Sequence, residues 1–340
     1  MGDFLSHLPS ATNNPFTFAS RLRVLGSHWL ALAKFKIVIL VVICALIGWL
    51  TGLGADRPFD LLSLSIFLTG LSLLSSGSLA LNQVQELQVD SKMKRTQNRP
   101  IASGQISLLT GFLLSVFPMM IGTAFLLTVS VKVAVLGLIT VLLYNGLYTL
   151  NWKPKMAFAA VPGAVPGALP VVMGYAGSSN TVINAESVYL FMILFLWQMP
   201  HFWALAIKYK NDYADGGIPV LPVVVGDKRA LIHIGAYLFV YVVFALCAPL
   251  FTFTYWVFYL ASIPMTSWLI LTYFKYYRVL NSPLLHPKSS SSEDFSAEAT
   301  DKILTYKRRW LGFFLAVSLS LLVFLLQPLL DRWLFLFLKT

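Results

Sequence analysis

Asn82, Glu86 and Asp90 stand at positions i, i+4 and i+8 where a long apolar run ends. On a helix that spacing lines three oxygen-bearing side chains along one face over about 12 Å. The chain has only 14 acidic residues in 340. A carboxylate one turn beyond an apolar run is costly unless it does something. Lys92, Lys94, Arg95 and Arg99 follow within nine residues of Asp90. Mg²⁺ keeps several waters and binds through one or two carboxylates plus a substrate phosphate. Glu86 and Asp90 are therefore expected to hold Mg²⁺, with Asn82 as an oxygen ligand or orienter and Lys94, Arg95 and Arg99 facing an anion. The chemistry implied is a metal-bridged phosphate site at a membrane surface.

A second polar stretch carries Lys208, Asp212 and Asp215, followed by Gly216, Gly217, Pro219 and Pro222. Lys208 and Asp212 at i, i+4 suit either a helix ion pair or a second anion and metal site, and the Gly/Pro run marks a fixed, irregular loop. His201 lies in Trp197-Gln-Met-Pro-His-Phe-Trp203, at the end of another apolar run. It is either a hydrogen-bonded core residue or a haem ligand, proton acceptor or phosphate donor. Tyr148 and Lys153 close a further run. Lys153 either reaches a diphosphate or anchors the helix at the interface. Val161 to Pro170 is too rich in Pro and Gly for a plain helix, and suits close packing or room for a bulky ligand.

These residues must be positioned by membrane helices. The chain is 57% hydrophobic and 11% charged, against about 25% charged in soluble domains. Apolar runs long enough to cross a ~30 Å hydrocarbon core lie at about 36–55, 61–81, 108–128, 131–150, 157–177, 187–207, 229–250, 253–274 and 311–330. They are continuous rather than alternating, which excludes a barrel. The net charge of +11 is topological and does not point to nucleic acid. Numbered from a cytoplasmic N-terminus, all but Arg57, Lys132, Arg332 and Lys339 of the 25 Lys and Arg residues fall on inside segments. That is the positive-inside pattern, and nine spans put the C-terminus outside.

Both polar loops follow an even-numbered span and face the cytoplasm, four spans apart. The expected fold is an all-α integral membrane protein of nine helices, two four-helix pseudo-repeats plus one extra helix around a central cavity. Residues 1–35 are expected to form a polar cytoplasmic tail and 36–340 the membrane domain, with a mobile polar connection at 286–301. Cys44 and Cys247 lie in apolar spans without CxxC partners, which reads as two buried thiols. The first 35 residues hold no apolar signal segment and only weakly resemble a transit peptide, so a bacterial inner membrane is favoured over a mitochondrial one.

Taken together, Asn82-xxx-Glu86-xxx-Asp90, Arg95-Thr-Gln-Asn-Arg99-Pro100, Gly104-Gln-Ile-Ser107, Tyr148-Thr149-xxx-Lys153 and the run from Trp197 to Pro222 resemble the UbiA superfamily of intramembrane prenyltransferases, closest to its haem-farnesylating branch. The resemblance spans about residues 36–275. It implies transfer of farnesyl from farnesyl diphosphate to a vinyl group of haem B, with addition of water to give haem O. It also implies Mg²⁺ assistance, Lys94, Arg95, Arg99, Lys153 and Lys208 on the diphosphate, and Asp212 and Asp215 as further metal ligands. His201, Trp197 and Tyr148 fall to the acceptor pocket, and a haem A synthase or terminal-oxidase assembly factor is the implied partner. Two positions depart from the superfamily pattern. Glu86 stands where Asp is usual, and Lys208 and Asn211 dilute the second Asp-rich motif. Other readings are a UbiA-type enzyme with another aromatic acceptor, such as a quinone precursor, and a secondary transporter. A transporter would carry ionisable groups near the bilayer midplane rather than at cytoplasmic helix ends.

Overall fold

The computed structural model describes residues 26–54, 58–281 and 294–339. Among these the protein is all-helical. Nine helices are long and apolar enough to cross a membrane: α1 (Phe35–Gly52), α2 (Leu61–Gln85), α3 (Leu108–Val129), α4 (Val131–Trp152), α5 (Ala160–Ser179), α6 (Ala185–Lys208), α7 (Asp227–Leu246), α8 (Trp256–Asn281) and α9 (Asp294–Lys339). Their starts follow local chemistry. The Asp60 carboxylate accepts from the Leu62 and Ser63 amides ahead of α2. Ser107 caps α3, and Asn184 and Ser187 form a capping box on α6.

The packing follows the expected two-unit order. α1 lies on α5, the first helix of each unit, while α2 pairs with α3 and α6 with α7. α9 packs on α8 and α6. The α1–α5 contact is close because small residues face each other. Gly48 lies against the Val171 carbonyl and Gly174 against the Ala45 carbonyl, so a Cβ at either position would strike backbone. The Ser178 hydroxyl donates to the Trp49 carbonyl at 2.7 Å across the same seam.

Three expectations change. α5 is one continuous helix despite Pro166 and Pro170. Each proline removes one backbone bond, and packing against neighbouring helices holds the rest of the helix; Gln198 Nε2 of α6, for example, donates to the Ala164 carbonyl at 2.9 Å. The last span is longer than the apolar run suggested, Ile303–Phe335, because Ala, Glu and Lys residues ahead of it continue the helix. Of the polar connection 286–301, residues 294–301 thus belong to α9, and 286–293 lie outside the described residues. At the other end, residues 26–32 are helical, and Leu32 and Ala33 are buried rather than part of a polar tail. Residues 1–25 lie outside the described residues. Cys44 is buried, Cys247 partly so, and both are free.

The α1–α5 seam leaves no room for a side chain. Gly48→Leu is expected to destabilise the protein by about 1–3 kcal/mol or more, seen as a lower melting temperature in detergent. Gly54→Ala, with nothing within 4 Å of the added carbon, should melt with the wild type.

Candidate functional site

The site is built on a break in α2. The helix ends at Gln85, Glu86 turns with φ −96° and ψ 12°, and a single further turn spans Leu87–Asp90. The Asp90 amide still donates to the Glu86 carbonyl at 2.8 Å. The three-residue face expected from the spacing is therefore kept, slightly bent. All three side chains are buried, Asn82 to 2% exposed, Glu86 to 6% and Asp90 to 1%.

The second half of α4 holds that face in place. From Leu142 to Trp152 it is a π-helix. The Lys153 amide donates to the Tyr148 carbonyl at 2.9 Å, and the Thr149 hydroxyl to the Tyr144 carbonyl at 2.8 Å. Runs of π-helix are rare and mark functional positions more often than chance. Here the wider turn brings Asn145 and Thr149 against α2. Asn145 Nδ2 donates to the Ser78 carbonyl at 3.0 Å and to Gln85 Oε1 at 3.1 Å, while the Ser78 hydroxyl donates to Asn145 Oδ1 at 2.6 Å. Asn82 Nδ2 donates to the Thr149 hydroxyl at 3.2 Å. Just beyond the π-helix, Lys153 forms an ion pair with Glu86.

Each carboxylate is thus held by a cation. Burial pushes Glu86 up, but Lys153 and then Lys34 outweigh it and hold the carboxyl below its ordinary range. Burial pushes Lys153 down, and Glu86 more than restores it, with the Tyr148 and Tyr213 hydroxyls within electrostatic reach. Arg99 Nη1 lies 2.6 Å from Asp90 Oδ2. The other Asp90 oxygen, Oδ1, is buried with no hydrogen-bond partner. Lys34, just ahead of α1, donates to Asn82 Oδ1 at 2.9 Å. Burial, followed by the nearby Arg99 charge, lowers its ammonium from 10.5 to about 7.

The second loop comes to the first. The Arg95 amide donates to Asp212 Oδ2 at 3.2 Å. The Arg95 guanidinium stands over the Tyr209 and Tyr213 rings, 5.2 and 5.9 Å from their centroids. Gly216 sits over Met93 and Val89, so closely that a Cβ there would meet Met93 Cγ at 3.0 Å. The two expected sites are therefore parts of one assembly at the same end of the helices.

The remaining site residues fall in several places. Among the described residues no three His, Cys, Asp or Glu side chains gather closely enough for a metal, so Glu86, Asp90, Asp212 and Asp215 do not form one cluster. Asp215 and Lys94 are exposed. Lys208 does not pair with Asp212. Its ammonium faces the Trp310 ring at 3.9 Å, and Lys210 makes the local ion pair instead, with Asp227 at 3.0 Å. Trp197 and His201 face α9. Trp197 Nε1 donates to the Val317 carbonyl at 2.7 Å, and the His201 ring stacks on Trp197 and lies 4.7 Å from Phe314. His201 Nδ1 is buried without a hydrogen-bond partner. Tyr148 stacks on Tyr144 and covers Gly163 of α5.

Sequence reasoning missed Lys34, Asn145 and Thr149 as site residues. Lys34 had counted only as one of many cytoplasmic cations, and nothing in its sequence setting separates it from Lys36. Asn145 and Thr149 carried a usable signal, two amide or hydroxyl side chains four apart within an apolar run.

Residues 41–282 match the profile of the UbiA prenyltransferase family. A protoheme IX farnesyltransferase of Bdellovibrio bacteriovorus is 45% identical over 306 residues, 90% of this chain and 96% of that one. One of Flavobacterium johnsoniae is 32% identical over 66% of this chain and 73% of its own. The fold is similar to a structure of digeranylgeranylglyceryl phosphate synthase (TM-score 0.63, 16% identity, 90% of this chain and 99% of that chain). It is also similar to a UbiA homolog from Archaeoglobus fulgidus bound to GPP and Mg²⁺ (TM-score 0.57, 16% identity, 86% and 99%). With a family match over most of the chain, a relative 45% identical over nearly all of both chains and a shared fold, the chain belongs to the UbiA prenyltransferase family.

Proposed function

We propose that this prenyltransferase moves the farnesyl group of farnesyl diphosphate to a vinyl group of haem B, producing haem O. The choice of haem rests on the 45% identity to the Bdellovibrio protoheme IX farnesyltransferase along nearly the whole of both chains. The observation that carries the chemistry is Asp90: a buried carboxylate with one oxygen on Arg99 and the other without a partner.

A buried anionic oxygen without a hydrogen bond is expensive, and it is the kind of donor a hard dication uses. The donor set fits Mg²⁺: Asp90 and Glu86 as carboxylates and Asn82 as an amide, with no sulfur or imidazole among them. Bound there, the cation would supply Lewis-acid stabilisation of the leaving diphosphate. The chain's own residues do the rest. Arg99 and Lys153 stand beside the two carboxylates and can turn to phosphate oxygens as charge develops on them. The allylic C–O bond breaks, and diphosphate leaves with the electron pair. The terminal vinyl carbon bonds the farnesyl C1, water adds at the neighbouring carbon, and a proton is released. Apolar helix walls keep water from the farnesyl cation before the vinyl group attacks. Tyr148, stacked on Tyr144, offers a π face on the side of Lys153. Asp212 supports this end through the Arg95 amide, with Lys94 and Lys208 contributing positive potential at the entrance. His201, stacked between α6 and α9, and Trp197 belong to the acceptor side of this reading.

In this reading the enzyme works in a bacterial inner membrane, with both polar loops and the N-terminus in the cytoplasm and the C-terminus outside. In a background lacking Cys44 and Cys247, Lys92→Cys should react with an impermeant thiol reagent only from the cytoplasmic side, and Ile183→Cys only from outside. Reconstituted in nanodiscs with reduced haem B, farnesyl diphosphate and Mg²⁺, the protein should yield a later-eluting haem heavier by a farnesyl group and water, and EDTA should prevent it. Asp90→Asn should lower that turnover by at least about 100-fold with membrane insertion unchanged. Near-normal turnover would remove Asp90 from the metal site. Prenylation of another aromatic compound, with haem returned unchanged, would overturn the choice of acceptor.

A further inference from the structure

Lys34 has no role in the mechanism above, yet its setting is that of a binding residue. It has φ 49° and ψ 53°. The other non-glycine residue with positive φ among the described residues is Asn180, the cap of α5, where that conformation is ordinary. A lysine held in the left-handed region stores strain and persists only where the surroundings enforce it. They do so here. Leu32 and Ala33 are buried, and Gln83 Nε2 donates to the Leu32 carbonyl at 2.7 Å, pinning the turn ahead of α1 onto α2. The result turns the Lys34 side chain inward, while Lys36, two residues on, is exposed.

Three cations meet at this end of the bundle. Lys153 is paired with Glu86 and Arg99 with Asp90. The hydrogen-bond acceptor of Lys34 is a neutral amide, Asn82 Oδ1, and among the described residues no carboxylate lies within ion-pair distance of it. Asn82 itself is 2% exposed. Lys34 is half-buried, Glu86 and Asp90 act on it only through space, and both carboxylates already hold another cation, so among the described residues it lacks the paired counter-charge that a charge drawn out of water ordinarily has. The surplus is positive, so the missing partner is an anion.

We propose that Lys34 is a ligand of the substrate's diphosphate, preset by the strained turn and parked on Asn82 until the anion arrives. This rests on the reading of the site as a prenyl diphosphate site. On diphosphate binding the ammonium exchanges the amide for a phosphate oxygen, a charge-assisted hydrogen bond of the stronger kind, and Asn82 Oδ1 is released at the moment a metal can use it.

The experiment is calorimetric titration of inorganic diphosphate into the full-length protein in nanodiscs with Mn²⁺ present, alongside a count of bound Mn²⁺ by electron paramagnetic resonance without diphosphate. Lys34→Gly removes the ammonium and adopts the same backbone without strain. Lys34→Gln keeps a donor to Asn82 and removes only the charge. Both are expected to weaken diphosphate binding about ten- to a hundred-fold with Mn²⁺ binding retained, and Lys36→Ala to bind as the wild type. Unchanged diphosphate affinity in both Lys34 variants overturns the proposal. Loss of Mn²⁺ and diphosphate together in both overturns it too, because Lys34 would then act only as a prop for Asn82. A wild type that binds Mn²⁺ but no diphosphate overturns the reading of the site, and the inference with it.

Discussion

The structure depends on pairing two buried carboxylates with cations at the end of a membrane helix. Glu86 and Asp90 are almost fully buried, where an unpaired charge would cost several kcal/mol. Lys153 and Arg99, one on each carboxylate, offset that cost. Breaking either pair by removing one partner would leave a buried charge uncompensated, a loss of about 3–5 kcal/mol. The cations must arrive from elsewhere in the chain, because α2 has none of its own at this end. The π-helical half of α4 delivers Lys153, the loop after α2 folds back to deliver Arg99, and the turn ahead of α1 delivers Lys34.

This arrangement stores ligand-binding capacity as ion pairs. In the proposed function, a cation held on a carboxylate is exchanged for a metal, and the released cation then meets a phosphate oxygen. The loop–loop contact adds a cover. Arg95 over Tyr209 and Tyr213, its amide on Asp212, and Met93 beneath Gly216 tie the two polar loops together. Beneath them, the glycine seam between α1 and α5 fixes the spacing of the two helical units on which both loops stand.

Much of this was legible in the sequence where a signal was local. Apolar runs of bilayer length marked nine spans, and the three-residue face of α2 was readable from i+4 spacing. Both loops could be assigned to one side from the charge asymmetry. What was not legible depended on partners distant in the chain. Lys34 and Lys36 look alike in sequence, and only the left-handed turn turns one of them inward. The π-helix has no local signature, since its wider turn is matched to α2 by a hydrogen bond that Asn145 donates to Ser78 and one that Thr149 accepts from Asn82. Lys208 and Asp212 have ideal helical spacing, but Tyr209 breaks the helix between them, at φ −106° and ψ 27°. Pro166 and Pro170 suggested an interrupted helix, which tertiary packing overrides.

The most direct measurement is to locate a metal and diphosphate in the protein, by determining its structure with Mn²⁺ and inorganic diphosphate and using the anomalous signal of manganese. The central claim requires Mn²⁺ on the free oxygen of Asp90, with Glu86 beside it and Lys153 or Arg99 turned from its carboxylate to a phosphate oxygen. Manganese bound elsewhere, or diphosphate bound with both ion pairs unchanged, would contradict it.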